Sequence, residues 1–318
     1  MLLSFIVIGR NEGSKLDRCF KSIVNFCDTN NFNNEIIYVD SQSIDNTEDV
    51  LHNWGNIKFL VLDGLCNAAR ARNLGANCAK GDVFCFVDGD MTLNADFGSR
   101  MFVDNKLIHP FINGFRVDYL HDSTWKYLSD NSVLINKNLK NQYKITTGGL
   151  FIIEKKLWNE LGGIDNRLRA FEDNDLAYRA YVLKGVKLLQ IAEVLANHYT
   201  INYTNKDRFK KMVFSDYFKY KGVLLRKHLS SYKLWGHFVK RDLTFFVLVF
   251  SLLISLVYSY AILLYPLSSI CRLFFIKSDS SSTSKVKRLY YNIIIDLKVL
   301  FACFFFYPKD YKPVEKTI

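Results

Sequence analysis

Closely spaced cysteines are missing from this sequence. The seven that occur, Cys19, Cys27, Cys66, Cys78, Cys85, Cys271 and Cys303, include no Cys-X-X-Cys and no pair at zinc-ligand spacing. That argues against a zinc module and against a dithiol redox centre. Most stand among apolar residues and are expected to be reduced core residues of a cytoplasmic protein. The opening "MLLSFIVI" lacks a basic n-region and a cleavage site, so no signal peptide is expected. Internal repeats are lacking too. With 49% hydrophobic and 15% aromatic residues, the chain is too apolar for disorder.

Acidic residues are scarce late in the chain. Residues 205–318 hold seven Asp and Glu against 20 Lys and Arg, whereas residues 1–204 hold 24 against 22. The net charge of +11 therefore comes wholly from the C-terminal third. Such an excess suits an anionic membrane surface or nucleic acid. Between Thr244 and Cys271 charge is absent altogether, over 28 residues. A spanning helix needs roughly 20. Yet both flanks are basic, Lys240 and Arg241 before and Arg272 and Lys277 after, which conflicts with the positive-inside tendency of a single span. A re-entrant hairpin turning near Tyr265 and Pro266 would keep both flanks cytoplasmic. "VLFACFFFY" is too short to span and is expected in the interface, with "SDSSSTSK" as a polar linker before it. Residues 205–242 mix aromatics with basics but lead straight into the apolar run. The expected partner of this third is therefore a membrane surface and not nucleic acid.

What is present in the first two-thirds is an alternation. "LLSFIVIG", "EIIYVD", "IKFLVLD" and "DVFCFVD" read as short buried strands. Helical patterns separate them: Leu16, Phe20 and Ile23 after the first, with Asn11 or Ser14 as candidate N-caps; "NTEDVLHNW" after the second; and "NAARARNLGANCAK", stopped near Gly81, after the third. This implies a doubly wound, mostly parallel α/β sheet. Residues 100–145 read as irregular connections with some strand. "FEDNDLAYRAYVLKG" reads as a helix with Leu176, Ala180 and Leu183 on one face, stopped by Gly185. "VKLLQIAEVLANHYT" reads as a strand or two ending at His198.

Ligands of such sheets sit at the carboxyl ends of the strands. Three of those ends carry polar groups: Arg10, Asn11 and Glu12; Asp40 and Ser41; Asp88 and Asp90. Two carboxylates on either side of Gly89 can hold one hard divalent cation and leave room for phosphates. The plain alternative is a solvated loop.

Four segments, "FIVIGRNEGSKLDRCFKSI", "IIYVDSQSIDNT", "AARARNLGANCAKGDVFCFVDGD" and "GGIDNRLRAFEDNDLAYRAYVLKG", together resemble the inverting glycosyltransferases of family 2, in order and spacing. The resemblance covers about residues 1–200. It implies the GT-A fold, a nucleotide-diphospho-sugar donor, a divalent metal (Mn²⁺ or Mg²⁺) and single displacement. By resemblance, Asp90 touches the metal, and Asp88 touches ribose or a metal-bound water. The metal neutralises charge on the leaving diphosphate. Asp40 contacts the nucleoside, though Ser41 stands where some relatives carry a second Asp. Arg10, Asn11 and Glu12 lie beside the base, and Arg72 near the base or diphosphate. Arg70 falls on another helical face and is expected to be packed or solvated. Gly148 and Gly149 let backbone approach the donor. Asp173 is the base that takes the acceptor's proton, favoured in its ionised form at a helix start. Glu172 binds the acceptor, and His198 is a further candidate metal ligand. Asp175, three residues after Glu172, shares that face or simply stabilises the helix start.

The resulting expectation is a catalytic domain over 1–204, its nucleotide-binding half about 1–98 and its acceptor half about 99–204. A basic, membrane-associated helical region follows over 205–318. The enzyme would stand at the cytoplasmic face of the inner membrane. It would move a sugar from a UDP-sugar to a lipid-linked saccharide in surface polysaccharide synthesis. A polyprenyl phosphate or a protein is the alternative acceptor. A nonenzymatic membrane or nucleic-acid-binding protein leaves the strand-end acids without a purpose.

Overall fold

A computed structural model describes residues 1–104, 106–137, 139–202, 206–275, 285–309 and 315–316. The chain divides into two compact units, Met1–Asn202 with Asp310–Ile318, and Tyr203–Lys309.

The first unit begins with β1 (Leu2–Gly9), α1 (Gly13–Asn30), β2 (Asn33–Asp40), α2 (Thr47–His52), β3 (Lys58–Leu62), α3 (Ala68–Cys78) and β4 (Val83–Asp88). β1 shows why this half is doubly wound. Its side chains alternate, so Leu3, Phe5 and Val7 pack with Leu16, Phe20, Ile23 and Phe26 of α1. Ile6 and Ile8 pack on the other face with Ala69 and Leu74 of α3. Each of the four large α1 side chains contributes about 1.5–3 kcal/mol by leaving water. Neither Asn11 nor Ser14 caps α1. Glu12 takes the N-cap position, and Asp45 Oδ2 accepts from the Gly13 amide at 3.0 Å. The helix stops at Asn31, which adopts a left-handed conformation (φ 54°). α3 ends at Cys78 with Ala79 as its C-cap, two residues before Gly81.

The second half adds β5 (Met91–Leu93), a 3₁₀ turn, β6 (Phe102–Val103), β7 (Lys106–Leu107), β8 (Phe111–His121), β9 (Tyr127–Asp130), α4 (Ser132–Asn136) and β10 (Gln142–Lys144). Then come β11 (Phe151–Glu154), α5 (Lys155–Leu161), α6 (Glu172–Lys184) and β12 (Leu188–Ile201). The main sheet runs β10-β12-β8-β11-β4-β1-β2-β3, closed at its edge by β13 (Glu315–Lys316). Neighbours are parallel from β4 to β3 and between β8 and β12, and antiparallel at β11, β10 and β13. The region expected to hold irregular connections with some strand supplies β8, an 11-residue strand third from the β10 edge of the sheet. α6 stops at Gly185 (φ 69°), with Leu176 and Ala180 buried; Leu183, expected on the same face, is exposed on the last turn.

The second unit is helical: α7 (Lys206–Phe214), α8 (Tyr217–His228), α9 (Tyr232–Arg241), α10 (Leu243–Ser255), a 3₁₀ turn (Ser259–Leu263), α11 (Leu264–Phe275) and α12 (Lys285–Phe305). α8 packs closely on α12 because position 222 has no side chain: a Cβ on Gly222 would lie 2.5 Å from the Val299 carbonyl oxygen. The uncharged run does not form one long helix, and no described helix is long and apolar enough to cross a membrane. It breaks at Leu256–Tyr258, not near Tyr265 and Pro266; Pro266 sits in the first turn of α11, where a missing N–H costs little. Leu256, Val257, Tyr258 and Tyr260 are exposed. "VLFACFFFY" forms the end of α12 up to Phe305 and runs two residues past it, with Val299 and Ala302 buried and Phe301, Phe304, Phe305 and Tyr307 exposed. Helices α8 to α12 also enclose an apolar cavity of about 850 Å³. The flanking Lys277 and most of the polar linker lie outside the described residues. All seven cysteines are free, but only Cys19, Cys27 and Cys85 are buried, and Cys271 is exposed.

Candidate active site

Strand register brings the polar ends together. Gly9 pairs with Asp40 and Ile8 with Asp88, so the ends of β2, β1 and β4 lie side by side. Asp40 is buried and already engaged. Its Oδ2 accepts from the Ser43 amide (2.7 Å), and its Oδ1 from the Ser43 hydroxyl (2.5 Å) and the Tyr38 hydroxyl (3.3 Å). Asn11, left-handed at φ 57°, donates from its amide to Ser43 Oγ and accepts from the Ile44 amide. Ser41 donates from its amide to the Gly9 carbonyl. Ser43 therefore ties two of the expected donor loops; its only signal in sequence is the Asp-X-X-Ser turn pattern. Arg10 is exposed. Glu12 is ion-paired with Lys15 (2.5 Å) and packs beside Gly89. Burial, together with the charges of Asp90 and Asp88, pushes its carboxyl up despite Lys15.

Arg72 projects from α3 and is almost wholly buried. Its Nη2 donates to Asp88 Oδ1 (2.8 Å) and its Nη1 to Glu172 Oε1 (3.1 Å). Burial opposes its charge, but Asp88, Glu172 and Asp173 together outweigh that and hold the guanidinium charged. A Cβ at Gly149 would sit 2.3 Å from Arg72 Nη2 and 2.9 Å from Asp88 Oδ2, so the ion pair requires glycine there. Gly148 meets nothing within 4 Å and carries no such demand. The neighbouring Asn73 anchors the loop before α6, bonding Ile164 and Asn166. Arg70 is buried and donates to the Leu65 and Asp63 carbonyls.

At the start of α6, Phe171 takes a left-handed φ of 63°, a strained setting for a bulky residue. It sets Glu172 and Asp173 in place. Position at a helix N-terminus would favour ionised Asp173, yet burial and the Glu172 charge win over Arg72. Together they push its carboxyl up to about 7. Asp175 is fully buried and paired with Arg179 (2.8 Å), whose guanidinium also bonds the Leu161 and Gly163 carbonyls. That is a structural role.

Asp90 and His198 form a second cluster. His198 Nε2 lies 3.2 Å from Asp90 Oδ2, and its Nδ1 lies 2.7 Å from Asp118 Oδ1, which also meets Arg116 Nε at 2.8 Å. Burial opposes charge on the imidazole, but Asp118 and Asp90 raise it to about 9. Asp90 Oδ1 is buried without a hydrogen-bond partner. An oxygen donor left open, next to an imidazole oriented by a carboxylate, suits a divalent cation. No group of three or more His, Cys, Asp or Glu forms a ready cage among the described residues. A cation here would complete its shell from phosphates and water, as Mg²⁺ commonly does. Asp88 faces Arg72 in this structure. Asp118 and Arg116 were not legible in the sequence. Beside them Tyr199, whose amide donates to the Asp90 carbonyl, stacks on Tyr119 (5.1 Å) under the Arg18 guanidinium (3.6 Å).

The family model described as "Glycosyl transferase family 2" matches residues 4–162, half of the chain. This span holds Asp40, Arg72, Asp88, Asp90 and Gly149 and ends before Glu172, Asp173 and His198. No curated protein matches the chain. Among solved structures, residues 1–349 of TarS from S. aureus are similar at 16% identity and a TM-score of 0.48, over 95% of this chain and 90% of that one.

Proposed function

Because the chain belongs to glycosyl transferase family 2, we propose that it transfers a sugar from a UDP-sugar to a saccharide acceptor with inversion at the anomeric carbon. The observation that supports this reading best is Arg72, whose one guanidinium joins Asp88 at the end of β4 to Glu172 at the start of α6. It couples a donor-side acid to an acceptor-side acid and fixes both.

Asp173 takes the proton of the acceptor hydroxyl as its oxygen bonds to the anomeric carbon. The bond from that carbon to the diphosphate breaks, and nucleoside diphosphate leaves with the electron pair. A carboxyl near 7 is matched to this task at neutral pH. Asp90 and His198, with Asp118 behind them, would hold Mn²⁺ or Mg²⁺, which when bound offsets charge on the diphosphate. Arg10, Asn11, Glu12, Asp40 and Ser41 would line the nucleoside side, and Gly149 keeps the floor open.

The acceptor is proposed to be lipid-linked, as in surface polysaccharide synthesis, with the enzyme at the cytoplasmic face of the cell membrane. Supporting this are the exposed apolar turn at Leu256–Tyr260, the short apolar helices and the basic excess after residue 204. Slow hydrolysis of a UDP-sugar panel with Mn²⁺, with and without chelator, tests the donor side. No hydrolysis or binding of any member would overturn it. Pelleting with anionic vesicles tests the membrane side, and release of the protein by high salt alone would contradict burial in lipid.

A further inference from the structure

A cavity of about 380 Å³ with mixed polar and apolar walls lies on the acceptor half, lined by β8, α4, β10, β12 and the loop around Gly148. Asn113, Arg116, Lys144, Thr146, Thr147 and Gln190 face it. Three observations set it apart from an ordinary surface hollow.

The first is Lys144. It is half-buried, its pKa is lowered by burial, and among the described residues no carboxylate pairs with it. A cation drawn from water without a counter-ion costs free energy, so its retention points to an anion that arrives from outside. The second is Asn113, which is 8% exposed and whose side-chain oxygen is buried without a partner. That unmet acceptor suits a ligand hydroxyl. The third is placement. Asp118 lines the same cavity and orients His198, which meets Asp90. Gly148 lines it as well, next to the Gly149 that abuts Arg72 and Asp88.

We infer that this cavity binds an oxyanion, a carboxylate or a phosphate, carried on the saccharide acceptor, with Lys144 as its counter-ion and Asn113 receiving a sugar hydroxyl. This rests on the glycosyl-transfer reading above. The cavity belongs to the acceptor because its strands, β8, β10 and β12, stand at the far edge of the sheet from β2 and Asp40. Arg116 is committed to Asp118, so Lys144 is the cation left for the ligand.

The test is a thermal-shift titration of the full chain with inorganic phosphate, glucuronate and glucose, repeated with UDP and Mn²⁺ present. Phosphate and glucuronate should bind saturably and glucose should not. Lys144→Met should weaken both anions by at least about tenfold, the loss expected for one charge-assisted hydrogen bond. Lys144→Arg should keep binding, which separates lost charge from lost folding. UDP should bind alongside phosphate. Equal anion binding by Lys144→Met, or no anion binding by the wild type, would overturn the proposal. Competition between UDP and phosphate would assign the anion site to the donor's diphosphate and overturn its link to the acceptor. Failure of UDP to bind, with the Lys144-dependent anion response intact, would count against the donor reading while supporting the oxyanion site.

Discussion

The two sides of the candidate site differ in how far they are finished. On the side of β2 and α3, Asp40 is held by Ser43 and Tyr38, and Arg72 is clamped between Asp88 and Glu172. On the other side, Asp90 keeps an open buried oxygen, Asn113 another, and Lys144 lacks a counter-ion among the described residues. A wall whose charges are already paired can orient a ligand without rearranging. A wall with unmet charges gains most when a ligand or a cation arrives. The difference separates groups that position from groups that bind.

The comparison breaks most visibly at Asp173. Asp173→Asn should lower turnover by on the order of 10²–10⁴ while donor binding changes little. In the wild type the base must be deprotonated. With its carboxyl at about 7, turnover should fall about tenfold per unit below pH 7 and level off above it. The stability sign is opposite. A carboxyl raised from 3.8 to about 7 favours the folded state at low pH, and that contribution is lost as pH rises through 7. A kcat profile flat from pH 5 to 8 would place the base elsewhere.

Asp118→Asn tests the open side through His198. Loss of the orienting carboxylate should weaken Mn²⁺-dependent UDP binding about 10–100-fold. Unchanged affinity would remove His198 from the cation site. Leu256→Asp should reduce vesicle binding by roughly tenfold or more, since one large apolar side chain no longer enters the lipid. Equal pelleting of the variant would discount the exposed turn. Gly149→Ala sharpens the closed side. Its new Cβ must displace Arg72, at a cost of about 1–3 kcal/mol in chemical denaturation. A variant as stable as the wild type would show that the clamp is loose.

The sequence was most legible where structure is local. Short apolar strands ending in Asp40 and Asp88 announce themselves, because burial on both faces leaves an unbroken run that a carboxylate then terminates. β8 was not legible. Arg116 and Asp118 interrupt its pattern because they line a cavity, and Gly114 because a side chain there would run into Phe97 and Leu195. Asp118 lies 80 residues from His198, and Asp45, which receives the first amide of α1, lies 32 residues from Gly13; only the fold joins such pairs. The break at Leu256–Tyr258 carries no Gly or Pro to mark it, whereas Pro266, which looked like a turn, fits inside a helix start. The helix position of Asp173 suggested an ionised carboxylate, but burial beside Glu172 decides the matter, and burial is a tertiary property.

The open oxygen of Asp90 carries the central claim that this side of the site is completed by a cation and the donor's phosphates. Calorimetric titration of UDP into wild type and Asp90→Ala, each with Mn²⁺ and with chelator, measures it directly. Wild type should bind UDP at least about tenfold more tightly with Mn²⁺, and Asp90→Ala should lose that difference. Equal affinities in all four titrations would contradict the account.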